Sequence, residues 1–329
     1  MQYQIYPLKV QHAFQGNDTL SLDCKLGLIL SGGRDKTVQL WDIASGDIIW
    51  SRQHSDVAHT VSISEDGLKA IAVAHESVMT WDLNSGKLIQ EVSFKHAPHY
   101  PYIYFSGKVV APYAGLSPSG ALVAMTRLDG LLGVFDSGTG SLIRHCRKGT
   151  LDRSILRGLF YRLGRRNPTF KYAITPDDGI LAVASTTSNF KYIMEVYNLK
   201  TGDRQTRFSI RRPNDIAISH DGKQIAFNRE GVVSLIRMED GLHIATLCRG
   251  DEDERGYSPA KGVFCQSSIV TLLSTGLCEI WNLNGQIIKR LHLGITCEAE
   301  NASVSPNGQQ LAVWDRSDNF IKLYTLPFP

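Results

Sequence analysis

The sequence predicts an all-β chain of seven repeated units, each of four antiparallel strands. Three observations carry this expectation. A strand ending in an anchor residue recurs seven times, a glycine turn follows it at a fixed gap, and a second turn precedes it by some 15 to 20 residues. The anchors are Trp41-Asp42-Ile43, Trp81-Asp82-Leu83, Phe135-Asp136-Ser137, Tyr197-Asn198-Leu199, Ile236-Arg237-Met238, Trp281-Asn282-Leu283 and Tyr324-Thr325-Leu326.

After the anchor comes Ser45-Gly46, Ser85-Gly86, Thr139-Gly140, Thr201-Gly202 or Asp240-Gly241. Glycine there suits a tight hairpin that needs positive φ. The preceding turns are Ser64-Glu65-Asp66-Gly67, Ser117-Pro118-Ser119-Gly120, Thr175-Pro176-Asp177-Asp178-Gly179, Ser219-His220-Asp221-Gly222 and Ser305-Pro306-Asn307-Gly308. Proline presets φ, Asp or Asn hydrogen-bonds its own backbone, and glycine supplies the left-handed residue. Small and β-branched residues flank these turns, as in Thr60–Ile63 and Lys69–Val73.

Seven such units resemble the WD-repeat β-propeller family over essentially the whole chain. The resemblance implies a single domain over 1–329, with blades at about 20–53, 58–93, 113–147, 170–210, 214–249, 260–293 and 300–326 plus 3–14. It also implies structural roles for Ser31, Asp35 and Trp41 in blade one, with His12 at the family's Gly-His position, and for Trp81 and Trp281 as anchors. The repeats are degenerate, since Phe135, Tyr197, Ile236 and Tyr324 stand in place of Trp. The last unit stops after its third strand, so the N-terminal strand is expected to complete it and remove an open sheet edge.

Anchor intervals of 40, 54, 62, 39, 45 and 43 mark two insertions, at 93–113 and 144–171. Both fall after a fourth strand and before the next first strand, and they flank blade three. Long loops on a rigid scaffold are where function concentrates. Residues 144–171 hold nine Lys or Arg against Asp152 alone, a local charge of +8 in a chain of net +3. Charge so concentrated points to a partner of opposite sign. Leu151, Ile155, Leu156, Leu159, Phe160 and Leu163 recur there at helical spacing, so a basic amphipathic helix is expected; its apolar stripe either meets a partner or caps the rim. Residues 93–113 are aromatic. Tyr100, Tyr102 and Phe105 either anchor a partner, as apolar complements to Arg153, Arg157, Arg162, Arg165 and Arg166, or form an extra edge strand.

His96 and His99 have a metal-ligand spacing but no third ligand, so no metal is expected. Asp251–Glu254 reads as a solvated acidic loop or a contact for the basic segment. Arg211-Arg212 is faintly similar to the Phe-Arg-Arg-Gly of phosphoinositide-binding propellers, but the neighbours here are Ile210 and Pro213. Six scattered cysteines without C-x-x-C spacing fit reduced structural thiols. No apolar run approaches the ~20 residues of a membrane span, and the N-terminus does not read as a secretory signal. A cytoplasmic location follows, or a nuclear one in a eukaryote.

No phosphate loop, nucleophile elbow or metalloprotease pair occurs, so neither catalysis nor a cofactor is expected. The resemblance implies a non-enzymatic scaffold that docks protein partners on its loop-bearing face, as a monomer or within a multiprotein complex. The alternative is a nucleic-acid-contacting subunit of a ribonucleoprotein or DNA-associated complex. Phosphoinositide binding and a propeller enzyme stand further back.

Overall fold

The computed structural model describes the chain apart from residues 1–4, 8–11, 16–18, 59, 65, 75–76, 94–102, 106–107, 111–112, 127–131, 148–170, 187–191, 212, 214, 230–231, 250–251, 254–255, 258–259, 266–267, 295–301, 316–317, 319 and 328–329. Among the described residues, seven blades each contain four antiparallel strands a to d, in sequence order in the first six. Blade one is Thr19–Lys25, Leu28–Gly33, Thr37–Asp42 and Ile48–Gln53; blade two is Thr60–Ile63, Lys69–Val73, Ser77–Asp82 and Leu88–Ser93. Blade three is Tyr113–Leu116, Leu122–Thr126, Leu132–Asp136 and Leu142–Arg147; blade four is Lys171–Ile174, Ile180–Thr186, Tyr192–Asn198 and Arg204–Ile210. Blade five is Asp215–Ile218, Gln224–Arg229, Val232–Arg237 and His243–Arg249; blade six is Ala260–Cys265, Ser268–Leu273, Leu277–Asn282 and Ile287–His292.

Blade seven combines both ends of the chain. Ala302–Val304, Gln310–Asp315 and Phe320–Thr325 supply strands a to c, and His12–Gln15 is strand d, with His12 opposite Leu323 and Gln15 opposite Phe320. The closing strand is thus N-terminal, as expected. It is only part of residues 3–14, because Ile5–Pro7 pairs in parallel with Arg290–His292 as a fifth strand on blade six. Proline is tolerated at such an edge because no further strand needs its missing N–H.

Strand position explains the burial pattern. Strands b and c are the middle strands of each blade and are buried nearly throughout, as in Leu28–Gly33 and Ser77–Asp82, whereas the outer strand Arg204–Ile210 alternates. Among the described residues the hydrophobic core is divided into seven clusters, each spanning one interface between adjacent blades. The closing cluster packs Leu22 and Trp41 of blade one on Trp314 and Ile321 of blade seven. Around the axis, strand a of blade one meets its neighbours on both sides. Asp23 Oδ2 accepts a 2.7 Å bond from the Ile63 amide, and the Cys24 amide donates to Ser303 Oγ at 3.2 Å.

Candidate docking faces

Antiparallel alternation sorts every connection onto one of two faces. The d-to-a connections and b–c turns share one face; the a–b and c–d turns share the other. The first face receives both insertions, since Ser93, Tyr113, Arg147 and Lys171 all end strands there. Tyr100, Tyr102, Arg153, Arg157, Arg162, Arg165 and Arg166, with the expected helix, lie outside the described residues, as do His96, His99 and Arg212. Phe105 ends a short strand, Ile103–Phe105, that pairs with Lys108–Val110 as a separate hairpin rather than as an added blade edge. Within the acidic run, Glu252–Asp253 pairs with Gly256–Tyr257 in a second small hairpin. No group of three or more His, Cys, Asp or Glu among the described residues is placed to hold a metal ion.

The repeat's polar partners are divided among blades. In blade one, the buried Trp41 indole donates to Ser31 Oγ at 3.4 Å, and Asp35 accepts from the Thr37 amide and hydroxyl. Blade six repeats the first contact more tightly, with Trp281 donating to Thr271 Oγ1 at 3.0 Å. Blade two has Ala72 two residues beyond the partner of Trp81, where blades one and six have Ser31 and Thr271. A histidine that the repeat pattern does not mark occupies that space. His54, on the d-to-a connection into blade two, is 2% exposed, reaches the Ala72 carbonyl with Nε2 at 3.3 Å and accepts the Asp56 amide on Nδ1. Its signal was a histidine directly after strand d. His12 lies within the closing strand His12–Gln15.

On the opposite face, strand d of one blade grips the c–d turn of the next. Trp50 donates to the Leu83 carbonyl at 2.7 Å, Arg52 to Gly86 at 2.6 Å, and Arg144 to Lys200 at 2.7 Å. The turn glycines are needed for approach as well as for φ. A Cβ on Gly86 would lie 2.7 Å from Trp50 Cγ, and one on Gly241 would lie 2.4 Å from Phe208 Cδ2.

The same face opens onto the central channel through a cavity of about 850 Å³. Its walls come from the ends of strands a and their turns, among them Leu116, Ile174, Ile218, Val263, Phe264 and Val304. Lys25 lies inside the mouth, neutralised by Asp23 at 3.3 Å and bonded to the Pro118 carbonyl at 3.1 Å. Two residues on this face adopt the left-handed backbone that normally costs a non-glycine residue ~1 kcal/mol or more. Leu26 has φ 58 and Asp178 has φ 53. Asp178 takes the place that Gly120 and Gly222 hold in neighbouring turns. Burial pushes its carboxyl up, against the Ser119 hydroxyl that donates to Oδ2. Asp66 and Asp177 are held below the usual carboxylate range, chiefly by the hydroxyls of Ser64 and Thr175 and then by turn amides.

No family model matches the chain. It is 31% identical to mouse F-box/WD repeat-containing protein 4 over 104 residues, covering 27% of this chain and 24% of that protein. It is 27% identical to small ribosomal subunit protein RACK1 of Glycine max over 75 residues, 23% of each chain. The chain therefore spans about a quarter of the length of these curated relatives. Among solved structures, the β-propeller domain of Cps50 (Swd1) from Myceliophteria thermophila superposes with a TM-score of 0.69 at 15% identity, over 97% of this chain and 100% of that one. Seven closed four-stranded blades and this superposition make the chain a seven-bladed β-propeller, similar over about a quarter of its length to an F-box/WD repeat protein and to RACK1.

Proposed function

We propose that this propeller is a non-enzymatic docking platform that holds a protein partner on its insertion-bearing face, within a multiprotein complex in the cytoplasm or nucleus. The observation that carries the reading is the segregation of charge: the 144–171 insertion is +8 while the rest of the chain sums to -5. A closed ring of blades presents such a segment from fixed strand ends, so little ordering entropy opposes binding by the scaffold itself. Arg153, Arg157, Arg162, Arg165 and Arg166 supply attraction, and Tyr100, Tyr102 and Phe105 the apolar anchors. One of the relatives is by name a subunit of a larger assembly, the small ribosomal subunit.

The test is affinity purification of the tagged chain beside a variant with those five arginines changed to Glu, with and without nuclease. A nuclease-resistant protein partner retained by the native chain and lost by the variant is the expected result. Recovery that disappears on nuclease treatment would transfer the same site to nucleic acid, whose binding falls steeply with salt. Partners unchanged in the variant would remove the insertion from the site.

A further inference from the structure

We propose that Asn284 is a site of spontaneous covalent modification, deamidated through attack by the Gly285 nitrogen, and that the change loosens the contact between blades five and six. The site is on the face opposite the insertions and does not rest on the docking reading. In blades one to five, the residue before the c–d turn glycine caps the amide two positions on, as Ser45 Oγ does for Asp47 and Asp240 Oδ1 for Leu242. Blade six closes one residue sooner, since the Asn282 amide bonds the Gln286 carbonyl where the Asp42 amide bonds that of Asp47. The Gln286 amide then donates to Asn282 Oδ1 at 2.9 Å. Asn284 is left with no part in the turn: its side chain is exposed and bonds to none of the described residues.

An idle asparagine before glycine is open to chemistry, because glycine has no Cβ to obstruct its own nitrogen. The Gly285 nitrogen gives its proton to solvent base and bonds to Asn284 Cγ. The Cγ–Nδ2 bond breaks, and ammonia leaves with a proton from water. A second water opens the five-membered imide at either carbonyl, giving aspartate or isoaspartate, with no oxidation or reduction. The other Asn-Gly pair, Asn307-Gly308, is an internal reference. Both glycine amides are tied into their turns alike, to the Asn282 carbonyl at 3.0 Å and the Ser305 carbonyl at 2.8 Å. The carboxamides differ. Asn307 Oδ1 accepts from Ser305 Oγ at 2.7 Å and from the Gln309 amide at 3.0 Å, and its Nδ2 donates to Gln309 Oε1 at 3.2 Å. Asn307 must break these bonds to present Cγ to Gly308, whereas Asn284 turns freely in water. Around Asn284 the turn is held against blade five: the Leu283 carbonyl accepts Gln224 Nε2 at 3.0 Å, and a Cβ added to Gly285 would collide with that of Ala245. Isoaspartate puts an extra methylene into this backbone and a carboxylate beside it, and close packing leaves no room for either without a shift.

The test incubates the full chain at pH 8, in native buffer and in urea, and follows both asparagines by peptide mass mapping, with enzymatic methylation of isoaspartate as a second readout. In the folded chain Asn284 is expected to convert at least about fivefold faster than Asn307, and in urea the two rates should converge. Asn284→Gln should remove the fast phase. The converted protein, separated by its added negative charge, should lose amide-exchange protection in His243–Arg249 and Ile287–His292 relative to fresh protein. Equal rates in the folded chain, faster conversion of Asn307, or an unmodified Asn284 would overturn the modification site. Conversion with unchanged exchange would overturn its coupling to the contact between blades five and six.

Discussion

The imidazole of His54 stands edge-on to the indole of Trp81, with ring centroids 6.0 Å apart and planes at 64°. A residue from the connection leaving blade one thereby packs under the anchor of blade two. Its Nε2–H faces the Ala72 carbonyl and its Nδ1 accepts an amide, a pattern that fits one neutral tautomer.

Burial lowers the His54 pKa from its ordinary value despite the Ala72 carbonyl, which favours the proton. The unfolded chain therefore takes up this proton at higher pH than the folded one. Stability from His54 is complete above about pH 6.5 and declines as pH falls from there toward the lower folded value. Urea midpoints measured from pH 7.5 to 5 should fall in the native protein and fall less in His54→Gln; equal slopes would refute it.

Thr271→Val leaves the Trp281 indole N–H buried without its acceptor and should cost about 1–2 kcal/mol, read as a lower denaturation midpoint. Ser31→Ala should cost less, because the Trp41 contact is longer at 3.4 Å. A reversed order would show that the two anchors do not depend on these bonds.

Gly241→Ala combines left-handed strain with a Cβ 2.4 Å from the Phe208 ring, and should destabilise by about 2–4 kcal/mol. Gly27 has a similar φ of 73 but nothing within 4 Å of an added Cβ. Gly27→Ala should therefore lose only about 1 kcal/mol. Equal thermal shifts would mean that backbone strain alone decides both.

Leu26→Asn should raise stability by about 0.5–1 kcal/mol, because Asn tolerates the left-handed turn and presents a polar surface. Calorimetry of the purified variant measures this. A lower melting temperature would mean that Leu26 serves the fold.

Burial pushes the Cys24 and Cys265 thiols up to about 12, and Cys146 to about 11. At pH 8 the reactive thiolate is scarce, so iodoacetamide followed by mass mapping should label Cys24 and Cys265 only after unfolding. Rapid labelling in the folded state would contradict their burial.

Much of the architecture was legible because each unit encodes its turns locally. Ser64-Glu65-Asp66-Gly67 specifies its bend through the Ser64 hydroxyl and Asp66 carboxylate, and a seventh unit ending after strand c calls for a strand from elsewhere. Other features were not legible. In Thr175–Gly179 the left-handed residue is Asp178 rather than the glycine, because the Asp178 amide closes the turn onto the Thr175 carbonyl as Gly120 and Gly222 do onto Ser117 and Ser219. Ile5–Pro7 joining blade six, and Thr271 supporting Trp281, likewise depend on which strands become neighbours.

The sequence by itself determined the seven units, their hairpin turns, the N-terminal origin of the closing strand and the concentration of positive charge. Tertiary structure alone decided what those units present to one another and to the outside. Ring closure brings Cys24 beside Ser303, 279 positions away, and gathers residues from six blades around one apolar cavity. Turn chemistry acts over a few residues and is written locally, whereas contacts between blades arise only once every sheet has its neighbour.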